Sequence, residues 1–232
     1  MSDMLNALKY AMPEVVIFTT ICIALLSDLF FKEKCKSIAL TISSIGLLIA
    51  AIISYFALGE FNSVVFSGLF VSDDLGQLMK FFIFLSVLFS FLYSKFYLEE
   101  RDIPSGDFYV LGLISTLGMI ILVSAHSVLT IYLGLELLSL PLYAMVAMRR
   151  FSGNSSEAAL KYFVIGSVAS AMLLYGISLL YGATGNLDLH EIANSIALYS
   201  SQKADMLSFA LVFILAGIGF KLAVVPFHMW AP

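Results

Sequence analysis

The sequence predicts an all-α polytopic membrane protein with about seven transmembrane helices. Three observations carry that expectation. Of the 232 residues, 61% are hydrophobic and only 12% charged, against about 45–50% and about 25% in a soluble domain. The mean hydropathy is +1.00. The apolar residues also gather into seven runs, each long enough to cross a bilayer as a helix and separated by short polar connections.

The spans are placed at Met12–Phe31, Ser37–Leu58, Leu75–Leu98, Phe108–Ser124, His126–Met148, Glu157–Gly182 and Met206–Val225. The first follows an N-terminus that is not basic and ends in KEKCK rather than at a small-residue cleavage site, so it reads as an uncleaved span. EERDIPSGD joins the third span to the fourth, and RRFSGNSS joins the fifth to the sixth with Gly153 and Asn154 as turn residues. Almost nothing separates the fourth from the fifth, which implies a tight antiparallel pair. Two longer connections carry patterns of their own. Phe61–Val71 has β-branched and aromatic residues around Ser67-Gly68, which suits a short hairpin at the interface or an irregular apolar loop on the headgroups. Gly185–Lys203 spaces Leu187, Leu189, Ile192, Ile196 and Leu198 among polar residues, as a surface helix does.

Orientation follows from the basic residues. Lys32, Lys34, Lys36, Lys95, Arg101, Arg149 and Arg150 fall on one side and only Lys9 and Lys203 on the other. The positive-inside rule then puts the N-terminus outside. The net charge of −4 adds little. Cys22 and Cys35 have no metal or redox spacing, and no glycine loop suited to cradling phosphate appears.

Function is sought among ionisable residues inside the membrane, which are costly and rarely accidental. Glu136 stands in the middle of IYLGLELLSLPLYAMV with no basic neighbour in sequence. Pro141 removes a helical hydrogen bond a turn further on, and is expected to break the helix there. Lys221 lies deep in the seventh run, between GIGF and LAVVPF, where Pro226 marks a second expected break. Glu136 is its simplest partner. Burial disfavours the charged form of either group and pairing restores it, so a pair that can be made and broken switches proton affinity. A static pair that only fixes helix register is the alternative. Lys161, about a turn inside the sixth span, suits either snorkelling or a buried role. His228, just past the expected break, is a candidate for passing a proton onward. Lys80 and Glu14 are expected at the interface, Lys80 by snorkelling to the headgroups. Glu14 and Asp28 mark the ends of the first span, with pairing to a neighbouring span as the alternative, His126 at the end of the fifth reads as an interfacial histidine ahead of a relay, and Gly166, Ser167, Ser170 and Ala171 form a packing stripe of small residues.

YLGLELLSLPLYAMVA, EAALKYFVIGSVASAMLLYGISLLYGATG and GIGFKLAVVPFHMWAP, in that order, resemble the subunit N family of bacterial NADH-quinone oxidoreductase, respiratory complex I. The likeness is strong over Tyr132–Pro232 and compatible with the first three spans. It implies proton conduction by an antiporter-like membrane-arm subunit, with the family's buried glutamate at Glu136 and its lysines at Lys161 and Lys221. It implies no cofactor in this subunit, although the complex as a whole would use NADH, flavin, iron–sulfur clusters and quinone. The partners implied are other membrane-arm subunits and the lipid bilayer, with no nucleic acid, in the bacterial cytoplasmic (inner) membrane. Members of the family have about fourteen spans in two inverted repeats. The expected division is therefore a three-span segment at 1–107 and, at 108–232, the start of the antiporter-like core, truncated at its C-terminal end. An Mrp-type Na⁺(K⁺)/H⁺ antiporter subunit, which shares the Glu and Lys, is the alternative function.

Overall fold

The computed structural model describes residues 8–30, 36–59, 62–101, 103–149, 152–198, 204–225 and 227–230. Its helices are α1 (Met12–Phe30), α2 (Lys36–Phe56), α3 (Asp74–Glu100), α4 (Ser105–Val123), α5 (Val128–Val146), α6 (Gly153–Thr184), α7 (Leu189–Leu198) and α8 (Ala204–Lys221). A hairpin of β1 (Ser63–Val65) and β2 (Phe70–Ser72) precedes α3, and a 3₁₀ turn at Phe227–Trp230 follows α8. Helices α1 to α6 and α8 answer to the seven expected spans, and α7 is the expected surface helix. Six helices are long and apolar enough among the described residues to cross a membrane, namely α2 from Ile38, α3, α4, α5, α6 and α8. Helix α1 runs 19 residues, with Glu14 in its first turn.

Local chemistry sets the ends of these helices. The Asp73 carboxylate accepts the Gly76 N–H at 2.9 Å and so caps α3. Ser127 and Ser152 cap α5 and α6 through their hydroxyls. Helix α6 stops at Gly185, whose φ of 73° is the left-handed conformation that a side chain resists and glycine does not.

Two apolar clusters hold the bundle. Ile17, Leu47, Phe84, Phe91, Leu113 and Ile120 join α1, α2, α3 and α4 in one. Val128, Leu173, Ile177 and Ile192 join α5, α6 and α7 in the other, with Ile214 and Ile218 of α8 against it. Glycines let the closest pairs approach. A Cβ on Gly118 would lie 2.4 Å from the Leu138 nitrogen, which explains the tight α4–α5 pair. A Cβ on Gly176 would lie 2.8 Å from the Ile214 nitrogen, and this contact brings α8 onto α6. The small-residue stripe on α6 divides: Gly166 and Ser170 are buried, whereas Ser167 and Ala171 are exposed.

At one end of the bundle the connections are stitched together. The hairpin forms, with Val64 opposite Val71 and Val65 opposite Phe70. Its second strand continues onto the α4–α5 loop, where Val71 donates to the Ser124 carbonyl at 2.9 Å and His126 donates to the Leu69 carbonyl at 3.2 Å. His126 Nε2 lies 3.0 Å from Asp188 Oδ2, which draws in the loop before α7. Asp188 also caps α7, accepting from the N–H groups of His190 and Glu191 at 2.8 and 3.1 Å.

The Glu191 N–H holds the Asp188 carboxyl below its usual value of 3.8. Desolvation opposes this, and the His190 N–H and the charges of His126 and His190 add to it. A carboxyl whose value is depressed on folding contributes stability above its unfolded value and loses it as pH falls through the folded one. The cap therefore holds at neutral pH and fails only in acid below 3.8. Asp188→Ala should lower stability by about 1 kcal/mol at neutral pH, and Asp188→Asn, which can still cap, by clearly less. Thermal unfolding of the two variants in detergent checks the difference.

Candidate functional site

Glu136 comes from the middle of α5, Lys221 is the last residue of α8, and α6 brings Ser170 to Glu136. Lys221 Nζ donates to Glu136 Oε1 at 3.0 Å, and the two side chains are 9% and 19% exposed. The same Oε1 accepts from the Ser170 hydroxyl at 2.5 Å. Lys221 Nζ donates a second bond to Ser139 Oγ at 2.8 Å. Ser139 in turn donates to the Leu135 carbonyl at 2.6 Å, which leaves its lone pair turned toward the lysine. Glu136 thus holds its carboxylate between a cation on one helix and a hydroxyl on another. Tyr143 closes the same face, its ring edge-on to Tyr162 at 4.5 Å. A Cβ on Gly166 would lie 2.2 Å from the Tyr143 hydroxyl, so glycine is required for the ring to reach α6.

The seventh expected span does end early, and the described residues give the local reason. Val224 donates to the Gly219 carbonyl and Ala223 to the Phe220 carbonyl, both at 3.0 Å, a Schellman arrangement. Its left-handed position is filled by Ala223 at φ 51°, where glycine is the usual residue. Phe227 then folds back toward the bare face of Gly219. Pro226, the expected break, lies outside the described residues.

Several expectations need correction. Pro141 does not break α5, which is continuous from Val128 to Val146. A proline costs one backbone bond, and here α4 packs along that stretch, with Ser115 donating to the Leu138 carbonyl at 3.2 Å. Lys161, left open between snorkelling and a buried role, is 65% exposed and bonded to Glu157 at 2.5 Å, one turn earlier on the same helix. His228 is exposed on the 3₁₀ turn. Lys80 does not snorkel. It is fully buried, 2.7 Å from Glu14, with the Phe70 ring of the hairpin over its ammonium. Asp28 does more than mark a span end, since its carboxylate lies against the first turn of α4 at Gly106. The two serines of the site were missed as ligands. Ser139 carried a signal, since it stands three residues from Glu136 and shares its helix face. Ser170 is 34 residues away and carried none.

The fold is that of a helical membrane protein in which a carboxylate at mid-helix and an ammonium at a helix end share a bond between spans. A family model described as NADH:quinone oxidoreductase/Mrp antiporter, TM, matches residues 125–232. The chain is 46% identical over 220 residues to NADH-quinone oxidoreductase subunit N of Thioalkalivibrio sulfidiphilus, covering 95% of this chain and 46% of that one. It is 44% identical over 232 residues to subunit N of Acidithiobacillus ferrooxidans, covering 100% of this chain and 48% of that one. A chain of respiratory complex I from Thermus thermophilus, solved with bound aureothin, superposes with a TM-score of 0.74 at 30% identity, over 94% of this chain and 45% of that one. The archaeal membrane-bound sulfane sulfur reductase shares the fold, with a TM-score of 0.76 at 21% identity over 98% of this chain and 47% of its own. Through residues 125–232 the chain belongs to the NADH:quinone oxidoreductase/Mrp antiporter membrane family. It spans about half the length of the curated relatives it matches.

The strain at Ala223 gives a direct check on the break. Ala223→Gly should stabilise the turn by roughly 1 kcal/mol, because left-handed backbone is costly for any residue with a Cβ. A rise in melting temperature in detergent, with the Glu136–Lys221 pair intact, is the expected result.

Proposed function

We propose that this chain acts as a membrane-arm subunit of NADH-quinone oxidoreductase and couples electron transfer from NADH to quinone to proton translocation. The observation that carries the proposal is the bond between Glu136 and Lys221, made between spans inside the membrane at 3.0 Å. With the pair closed, the carboxylate compensates the ammonium. When a charge or a helix movement draws Glu136 away, Ser170 is already in place to hold it, and Lys221 stands in low dielectric against Ser139 alone. The uncompensated cation then gives up its proton more readily. Each tenfold change in that tendency corresponds to about 1.4 kcal/mol, so a modest conformational energy suffices. Lys161 and His228 lie off the pair, and the switch is assigned to Glu136 and Lys221.

Further parts of the proposal rest on the same relatives. The segment 108–232 belongs to the translocating core, and 1–107 is a three-span segment packed on its first helix. The other membrane-arm subunits and lipid are the partners, and the bacterial cytoplasmic membrane is the location. The basic residues place the N-terminus and the hairpin outside. Reporter fusions after Lys36 and after Ser195 should then report opposite sides of the membrane, and matching signals would overturn the orientation.

The central test uses the assembled complex in membrane vesicles, with NADH oxidation and proton uptake followed together and assembly checked separately. Glu136→Gln keeps the shape and removes the charge, and Lys221→Ala removes the partner. Each should lower both rates by roughly tenfold, the effect of about 1.4 kcal/mol on a limiting step, and Glu136→Asp should retain part of the activity. Unchanged pumping per electron in fully assembled complex would make the pair structural. The Mrp-type reading predicts instead that added Na⁺ or K⁺ competes with proton uptake.

A further inference from the structure

A third hydroxyl stands beside the pair, on Tyr143. This residue follows Ser139 by four positions on α5, so the two share a helix face and the tyrosine points back toward the serine. Tyr143 is buried, with its hydroxyl within hydrogen-bonding reach of Ser139. Its ring stands edge-on to Tyr162 at 4.5 Å and to Phe163 at 5.9 Å, both on α6. The hydroxyl meets α6 at Gly166, one turn before Ser170. A ring gripped in this way would pack equally well as phenylalanine. The hydroxyl is what needs a reason, because a buried one is costly unless it is bonded.

The reason lies in what Ser139 can donate and accept. A serine hydroxyl has one proton to give and two lone pairs. With the pair closed, Ser139 gives its proton to the Leu135 carbonyl and accepts from Lys221. Its second lone pair is left for Tyr143. The Leu135 carbonyl does not depend on the serine hydroxyl, since α5 is continuous and the carbonyl also takes a backbone N–H. The hydroxyl is therefore free to turn from Leu135 to Lys221. Such a turn is useful only when Lys221 is neutral, because an ammonium has no lone pair with which to accept. A serine that has turned keeps Tyr143 as its donor. Without Tyr143 it would lose the donor it had in Lys221 and bury both lone pairs bare.

We propose that Tyr143 is a positioning residue for Lys221, acting through Ser139 to stabilise the neutral amine and so ease release of its proton. Tyr143 and Ser139 each keep their own proton throughout, and only the direction of the Ser139–Lys221 bond reverses. The proton that leaves belongs to the ammonium. The amine rotates about its Cε–Nζ bond, so its lone pair can face Ser139 whichever proton has gone. Few other groups bear on this balance among the described residues. Glu136 bonds the ammonium, Tyr132 lies one turn before that carboxylate, and Tyr162 packs on Tyr143. Lys161 is turned to Glu157, His228 is exposed, and Asp205 is at the far end of α8. That this balance governs pumping rests on the proposed function, whereas the effect on Lys221 does not.

The test uses the assembled complex in membrane vesicles, wild type and three variants, Tyr143→Phe, Ser139→Ala and both together. Each removes a hydroxyl and keeps the packing. Acetic anhydride reacts with a lysine only as the neutral amine. At about pH 8, below the ordinary lysine value, the labelling rate follows the neutral fraction. Mass spectrometry reads Lys221 against exposed Lys9 as internal reference. Tyr143→Phe should lower the ratio about fivefold, the effect of one hydrogen bond. In the Ser139→Ala background the same change should have no further effect. An unchanged or raised ratio in Tyr143→Phe overturns the proposal. So does an equal fall without the Ser139 hydroxyl, since altered packing or reagent access would act in both backgrounds. NADH oxidation and proton uptake at neutral pH should fall together by about the same fivefold. Slower labelling with wild-type pumping upholds the assignment of Tyr143 and counts instead against the proposed function.

Discussion

The rest of the structure depends on the cost of burying charge where no water can compensate it. Glu136 and Lys221 each incur that cost, and the bond between them joins α5 to α8, two helices whose residues are 85 positions apart. Ser139 and Ser170 then supply what one ion pair cannot, a second acceptor for the ammonium and a second donor for the carboxylate. A half-satisfied polar group in a low-dielectric interior is worse than none. The α6–α8 contact through Gly176 and Gly217 and the approach of Tyr143 to Gly166 are the packing that brings these four side chains together.

The same constraint acts at the other buried lysine with a different outcome. Lys80 would reach the headgroups if α3 ended in open lipid, as the length of its side chain allows. Here the Phe70 ring of the hairpin lies over its ammonium, and Glu14 is the partner. The hairpin is therefore part of the electrostatics of the bundle as well as a connection. Its strand also carries the hydrogen bonds that tie the α4–α5 loop, and through His126 the loop before α7, into one end of the protein.

Much of this was legible from local sequence. The spans followed from the length of the apolar runs, the surface helix from the spacing of Leu189, Ile192 and Ile196, and the tight α4–α5 pair from the missing linker. The Glu136–Lys221 pairing followed from the scarcity of buried charge, because a lone carboxylate requires a partner. What could not be read depends on which faces meet. Whether Lys161 points inward is decided by the rotation of α6, and Glu157 one turn away answers it at the surface. Lys80 was misjudged because burial by a hairpin is a tertiary fact. Pro141 was overread because a neighbouring helix can support a stretch that has lost a backbone bond, and Ser170 carried no sign of its partner at all.

The position of Lys221 gives the ammonium partners besides Glu136. The negative end of the α8 dipole falls at the helix's last turn, where a cation gains about 0.3–1 kcal/mol, and up to about 2 where partly buried. Lys221 occupies that turn because the chain leaves the helix at Ala223 through a strained left-handed residue. Helix end and Ser139 are the partners the ammonium has beside Glu136. On the carboxylate side, Ser170 shares the oxygen that Lys221 uses, so Glu136 keeps one donor when the lysine is lost. When the contact breaks the carboxylate keeps Ser170, and the ammonium keeps only Ser139 and the helix end. A buried pair supported on only one side would be a rigid clamp. One supported on both sides, with a helix end beneath the cation, is suited to switching.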